Sequence, residues 1–234
     1  RNPVWVVLGL FQPICFLLLF GPLFNGIAAA PGFPRGGALT VFTPGVLVML
    51  GMFGTAFVGY GLIADLRFGV VERMRVTPVS RLALLLGRVL RDVFTLLIQS
   101  ILLLLVAWLL GLRANLAGIV IALILIVMMG FLLASCSYAL ALTFKNENAL
   151  ASTLNFFTFP LLLLAGVYLP LTFAPAWIRN LAAFDPFSYA VSATRALFSG
   201  NMSDNSVFLG FLIIGILAIL TVFWATKSFR EALA

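Results

Sequence analysis

The chain has no histidine, two cysteines and only seven acidic residues among its 234 positions. Each shortage removes a class of function. Without histidine, a Ser-His-Asp or Cys-His machinery in its usual form is excluded. Cys15 and Cys136 stand far apart, each inside an apolar run. They read as free thiols serving as small hydrophobes, and zinc ligation has no support. No glycine-rich loop is followed by Lys and Ser/Thr, so the chain carries no ATP-hydrolysing loop of its own. No G-x-S-x-G elbow is present either. The long apolar runs contain no Asp or Glu. A proton-driven carrier needs a titrating group at that depth, and no inverted repeat is visible. A selective channel would need a carbonyl filter or a charged ring, and neither is found.

Charge is scarce overall. Charged residues make up 9% of the chain and hydrophobic ones 63%, with a mean hydropathy of +1.20. Soluble domains carry about 25% charged residues. A soluble fold of this length cannot hide so much apolar surface. The composition therefore specifies an all-α integral membrane protein. Thirteen per cent aromatics and 20 glycines fit helices packed closely in a bilayer. The net charge of +7 would raise nucleic acid as a partner in a soluble protein. Here the arginines sit beside apolar runs, so membrane topology accounts for them and no nucleic acid is expected.

Six uncharged runs are long enough to cross, at about 20 residues each. They lie at 4–24, 40–64, 93–112, 117–142, 149–169 and 206–226, and one membrane domain covers 1–234. Pro13, Gly21 and Pro22 predict a first span that kinks or ends early. The chain opens on Arg1 and not Met, so Val4–Phe24 is not read as a cleaved signal peptide. In the second run, Gly51, Gly54, Thr55 and Gly59 form a small-residue stripe, for tight packing or for lining a route. Gln99 lies mid-span in the third run and must face protein or a cavity. Asn155 in the fifth run is a functional candidate on the same grounds, with packing as the alternative. Gln99, Asn155 and Phe159 are thus candidate cavity or interface residues.

Two stretches stand out. The first is the hinge, 65–92, which holds Arg67, Arg73, Arg75, Arg81, Arg88 and Arg91 with Asp65, Glu72 and Asp92. Helical spacing over 67–75 puts Phe68 and Val71 together, with Arg67, Glu72 and Arg75 towards water. Thr77-Pro78 has the chemistry of an N-cap and N1 pair opening the next helix. The hinge is either an ordinary loop that fixes topology or a structured element on which another subunit acts. The second stretch, 171–204, is too apolar for a free loop and too interrupted for a span. Trp177 and Tyr189 suit the headgroup level. Asp185-Pro186 reads as a cap and N1 pair for a helix towards Ser199, ended by Gly200-Asn201. With six spans the two ends share a side. Arg1, the six hinge arginines, Lys145, Lys227 and Arg230 fall there, against Arg35, Arg113, Arg179 and Arg195 opposite. The bias places both ends and the hinge in the cytoplasm and 171–204 outside.

Three blocks then resemble the membrane subunit of ABC-2 type exporters, the daunorubicin-resistance kind of drug and lipid permease. They are Val71-Glu72-Arg73-Met74-Arg75-Val76-Thr77-Pro78-Val79-Ser80-Arg81 with Gly87-Arg88; Phe159-Pro160 with Ala165-Gly166-Val167-Tyr168-Leu169-Pro170 and Pro175-Ala176-Trp177; and Asp185-Pro186-Phe187-Ser188-Tyr189 with Arg195. Asp185 stands where the family commonly has Asn, and either caps a helix.

The resemblance implies six transmembrane helices, a cytoplasmic coupling helix after the second, and an extracytoplasmic re-entrant hairpin between spans five and six. It implies a bacterial cytoplasmic-membrane complex of two membrane subunits, a second copy or close paralogue, with two separate ATPase subunits that bind ATP and Mg. This chain would itself hold no cofactor and no metal and be no enzyme. It also implies a subunit interface along the first and fifth spans, and an amphipathic helix ahead of the first span, with which this sequence does not begin. Phe68, Val71, Glu72, Arg73, Met74 and Arg75 are then the expected ATPase contact. Trp177, Asp185, Pro186, Tyr189 and Arg195 are the expected outer gate, or a plug that never moves, with Arg195 able to pair with Asp185 or a lipid phosphate. The expected cargo is a lipid, glycolipid or amphipathic drug. A polysaccharide exporter of the same architecture, or a non-transporting anchor or assembly subunit, are the alternatives.

Overall fold

A computed structural model describes residues 4–27, 37–68, 81–168 and 170–232. Among them every regular element is helical: α1 Val4–Ile27, α2 Ala38–Ala56, α3 Gly59–Arg67, α4 Arg81–Leu109, α5 Leu116–Phe144, α6 Glu147–Leu164, a 3-10 turn Leu171–Phe173, α7 Ala176–Ala182, α8 Pro186–Phe198 and α9 Asn205–Ala232. Four helical stretches, Ala38–Arg67, Leu82–Leu109, Leu116–Phe144 and Asn205–Glu231, are long and apolar enough to cross a membrane. Their outer faces carry Phe94, Trp108, Leu116, Phe208 and Phe223, all exposed. Each such side chain left in water forgoes about 1.5–3 kcal/mol of burial. An array of them around a bundle is stable only against lipid. The protein is a multi-pass, all-α membrane protein.

Several helix bounds differ from the sequence pattern, for identifiable reasons. α1 runs through Pro13 and Pro22 to Ile27 instead of stopping. Prolines are tolerated in membrane helices because neighbouring groups take up the freed carbonyls. The second run is divided: α2 ends at Ala56, and α3 begins after a two-residue turn, Phe57–Val58. There the bonds tighten to three-residue spacing, Tyr60 N–H to Phe57 O at 3.3 Å and Gly61 N–H to Val58 O at 3.1 Å. Phe53, Phe57 and Tyr60 stack across the turn, with centroids 6.2 and 6.0 Å apart. α4, which the Thr77-Pro78 pair is expected to open, is described from Arg81 and runs through the charged segment into the uncharged run at Val93, because Leu85, Val89, Val93 and Leu96 form one buried face.

Local chemistry sets the other ends. The Asn115 side chain caps α5 by accepting from Ala117 N–H at 3.0 Å. Asn146 caps α6 by accepting from Asn148 N–H at 2.9 Å, so α6 opens at Glu147. Asp204 accepts from Ser206 N–H at 2.8 Å at the head of α9, and that bond holds its carboxyl below the usual range.

α5 is the centre of the bundle and packs against α2, α3, α4, α6, α8 and α9. The small-residue stripe is tight packing on α5. A Cβ on Gly51 would come within 2.0 Å of Met129 Cε, and one on Gly59 within 2.6 Å of the Ser137 carbonyl. α1 lies on α2 and α4, and the short α7 lies on α6. The buried side chains fall into two clusters, the larger around α2, α5 and α8, the smaller at the end where α3, α4, α5 and α9 converge.

Candidate functional site

The hairpin is built from its corner outward. Asp185 sits between α7 and α8 with 1% of its surface exposed. Its Oδ1 accepts from Phe187 N–H at 2.9 Å, and Pro186 occupies the first turn, as the cap pattern requires. Among the described residues its Oδ2 has no hydrogen-bond partner. Ser188 Oγ donates to Ala182 O at 2.7 Å and Asp185 O at 2.8 Å, and Tyr189 hydroxyl donates to Ala183 O at 3.0 Å. Side chains at the start of α8 therefore satisfy the carbonyls at the end of α7. Tyr189 is a corner bolt here, a role that its reading as a headgroup anchor did not include. Trp177 stands exposed on α7. α8 closes near Gly200, whose φ of +85° suits glycine.

Arg195 does not pair with Asp185. It lies in the last turn of α8 and donates from Nε to Val41 O at 3.0 Å and from Nη2 to Gly166 O at 2.7 Å, with Val167 O at 3.5 Å. One guanidinium thus ties the hairpin to α2 and to the turn that ends α6. The planar fork suits two such carbonyls where an ammonium would not. Gly45 assists: a Cβ there would lie 2.3 Å from Val167 O, so only glycine lets α2 meet this turn.

The three polar or aromatic candidates within the runs separate. Gln99 is buried and fills the notch left by Gly9 and Gly54, where added Cβ atoms would lie 2.7 and 3.6 Å from its amide. It faces protein between α1, α2 and α4. Asn155 and Phe159 lie on an exposed face of α6 with Phe156 and Leu163, and Phe159 meets Phe53 edge-on at 5.9 Å. Neither lines the cavity of about 340 Å³ between α2, α5, α6 and the start of α8. That cavity is walled by Met52, Leu133, Cys136, Leu154, Phe157 and Phe187, among others. Ser137 Oγ, also at its wall, accepts from Gly59 N–H at 2.9 Å.

Within the hinge, Phe68 caps the end of α3 and is exposed. Val71, Glu72, Arg73, Met74 and Arg75, with Thr77-Pro78, lie outside the described residues. What the structure adds is a charged cluster on the helices that precede and follow that segment in the chain. Arg88 Nη1 pairs with Asp65 Oδ2 at 2.6 Å, and Arg91 pairs with Asp92 Oδ1 at 2.6 Å. Asp92 Oδ2 accepts from the hydroxyl of Tyr138, which is buried in α5. Arg67 meets Glu147 at 3.1 Å, joining α3 to α6. Sequence reading missed Tyr138 altogether. The available signal was that Asp65 and Asp92 are two of only seven acids and sit beside arginines.

The family model for ABC-2 type transporters matches residues 1–199. The chain belongs to that family. It is 28% identical over 200 residues to the daunorubicin resistance ABC transporter permease protein DrrB1 of Streptomyces coeruleorubidus, across 85% of this chain and 70% of the relative. It is 27% identical to the putative transport permease ycf38 of Cyanophora paradoxa, across 95% and 80%. It is 24% identical to the probable doxorubicin resistance ABC transporter permease protein DrrC of Mycobacterium tuberculosis, across 86% and 72%. As an ABC-2 permease, the chain is a non-catalytic membrane component and not itself an enzyme.

Proposed function

We propose that this permease is the membrane-spanning half of an ATP-driven exporter that carries a lipid, glycolipid or amphipathic drug out across the bacterial cytoplasmic membrane. α1 and α6 complete a six-span arrangement with the four longer stretches, with both ends and the hinge in the cytoplasm and the α7–α8 hairpin outside. Two separate ATPase subunits bind ATP and Mg and dock on the hinge through Glu72, Arg73 and Arg75, with Phe68, Val71 and Met74 as the apolar part of the contact. A second copy or close paralogue packs along α1 and α6. Trp177, Asp185, Pro186, Tyr189 and Arg195 hold the outer gate.

The observation that favours an apolar cargo is the 340 Å³ cavity, walled by leucine, methionine and phenylalanine. A polysaccharide route would need many polar groups for the hydroxyls it strips of water, and this wall offers only the three hydroxyls of Ser137, Thr153 and Thr158 among the described residues. Two relatives bear names of daunorubicin and doxorubicin resistance, which fits a planar amphipathic drug. The test is reconstitution with a candidate partner ATPase from the same organism, followed by measurement of ATP hydrolysis with daunorubicin, phosphatidylethanolamine or dextran. The reading expects stimulation by the drug or the lipid. Stimulation by dextran alone points to polysaccharide. A subunit that purifies without an ATPase, in detergent that preserves related complexes, contradicts transport and favours the anchor.

A further inference from the structure

We propose that Asp65, Arg88, Asp92 and Tyr138 form a clasp that makes α3 the transmitting element between the hinge and the bundle core; this rests on the hinge being where the ATPase docks. α3 is set off from α2 by the Phe57–Val58 turn, where the helix bonds tighten to three-residue spacing. A push on α3 therefore meets a joint within the second span. α3 is instead fastened sideways to three neighbours. Gly59 N–H donates to Ser137 Oγ of α5 at 2.9 Å. Asp65 pairs with Arg88 of α4 at 2.6 Å, with side chains 29% and 14% exposed. Arg67 pairs with Glu147 of α6 at 3.1 Å.

The clasp continues inward from α4. Arg91 donates both Nε, at 2.9 Å, and Nη2, at 2.6 Å, to one oxygen of Asp92. The other oxygen accepts from Tyr138 of α5. Two acids and two arginines balance, so no net charge is left where the helices leave the polar zone. Such a paired set adds little stability against an apolar replacement, while losing one member leaves a charge stranded. Its use is directional: Asp65 precedes and Arg88 follows the 69–80 segment in the chain, and their pairing makes α3 and α4 move together. Tyr138 then passes the movement to α5, which touches α2, α3, α4, α6, α8 and α9.

The test reads movement at the far end of the molecule without needing the cargo. In a Cys15→Ser, Cys136→Ser background, a fluorophore on Ser203→Cys reports on the exposed turn after α8. The complex with the co-expressed ATPase is placed in liposomes, and the response to ATP with vanadate is recorded. Asp65→Asn, Arg88→Gln and Tyr138→Phe should each cut the response at least five-fold while ATPase pulldown is unchanged. The exchange Asp65→Arg with Arg88→Asp should restore at least half. If a single charge variant fails to reach the membrane, the exchange and Tyr138→Phe decide. A full response from Tyr138→Phe and the single variants overturns the clasp. So does an exchange no better than Asp65→Asn at equal abundance. If the parent protein does not bind the ATPase at all, the docking reading fails first, and the clasp falls with it.

Discussion

Arg195, in the last turn of α8, places Nη2 2.7 Å from the carbonyl oxygen of Gly166. Gly166 has φ +69° and follows the end of α6. The arginine therefore takes up a carbonyl at a helix terminus that has no partner within its own helix. It also holds α2 through Val41. Hydrogen bonds to a charged donor contribute about 1.5–3 kcal/mol, so Arg195→Ala should lower thermal stability by that order. Export should fall while ATPase pulldown persists. Arg195→Lys should recover little, since an ammonium lacks the fork. A complex that dissociates in Arg195→Ala would assign the residue to assembly instead.

Asp185 separates cap from charge. Asp185→Asn keeps an acceptor for Phe187 N–H and removes a buried carboxylate oxygen that has no partner among the described residues. Its melting temperature should equal or exceed that of the parent. Asp185→Ala loses the cap and should cost about 1 kcal/mol. A strongly destabilised Asp185→Asn protein would mean that the negative charge itself is required.

The cap was legible in the sequence because its chemistry is local: an acceptor, a proline and the next N–H are adjacent. Arg195 was legible as a residue of interest but not in its partners, because carbonyls of Val41 and Gly166 leave no side-chain signature. The partners of Arg88 and Asp92 are hidden for a related reason: Asp65 and Tyr138 stand on other helices, far away in the chain. Gly51 and Gly59 announced close packing, and both meet α5. The break after Ala56 could not be seen, because the N–H of Gly59 turns to a serine on another helix. Asn155 and Phe159 are open in the sequence to a cavity or an interface role, and they lie on the exposed face of α6, a rotation that polarity alone does not fix.

Gly59 and Ser137 make that break testable. A side chain at Gly59 would meet the main chain of Ser137 at 2.6 Å, and main chain cannot move aside as a flexible side chain does. Gly59→Leu should sharply reduce folded yield by fluorescence-detected gel filtration. Ser137→Ala leaves a buried N–H without its partner, at about 1–3 kcal/mol. Normal yield from Gly59→Leu would contradict the α3–α5 contact.

The exposed faces of α1 and α6 carry Phe11, Leu18 and Leu19 and, in turn, Phe156, Phe159 and Leu163. If these form the subunit interface, Leu19→Cys and Phe156→Cys should each give oxidative dimers in membranes lacking the native cysteines. Trp108→Cys on α4 and Val120→Cys on α5, also exposed, should not. Dimers from the second pair alone would move the interface to α4 and α5.

Coupling through the hinge is the centre of the account, and Glu72 tests it most directly. Acidic residues contribute little to topology, so insertion and abundance should remain normal in Glu72→Ala and Glu72→Arg. Opposed charges at a docking surface fix its register, so reversing one should do more harm than deleting it. The measurement is cargo-stimulated ATP hydrolysis and export by each variant in liposomes, beside ATPase pulldown. The account predicts that both activities fall together, and further in Glu72→Arg than in Glu72→Ala. Full coupling retained by Glu72→Arg would contradict it and leave the hinge as a loop that only sets topology.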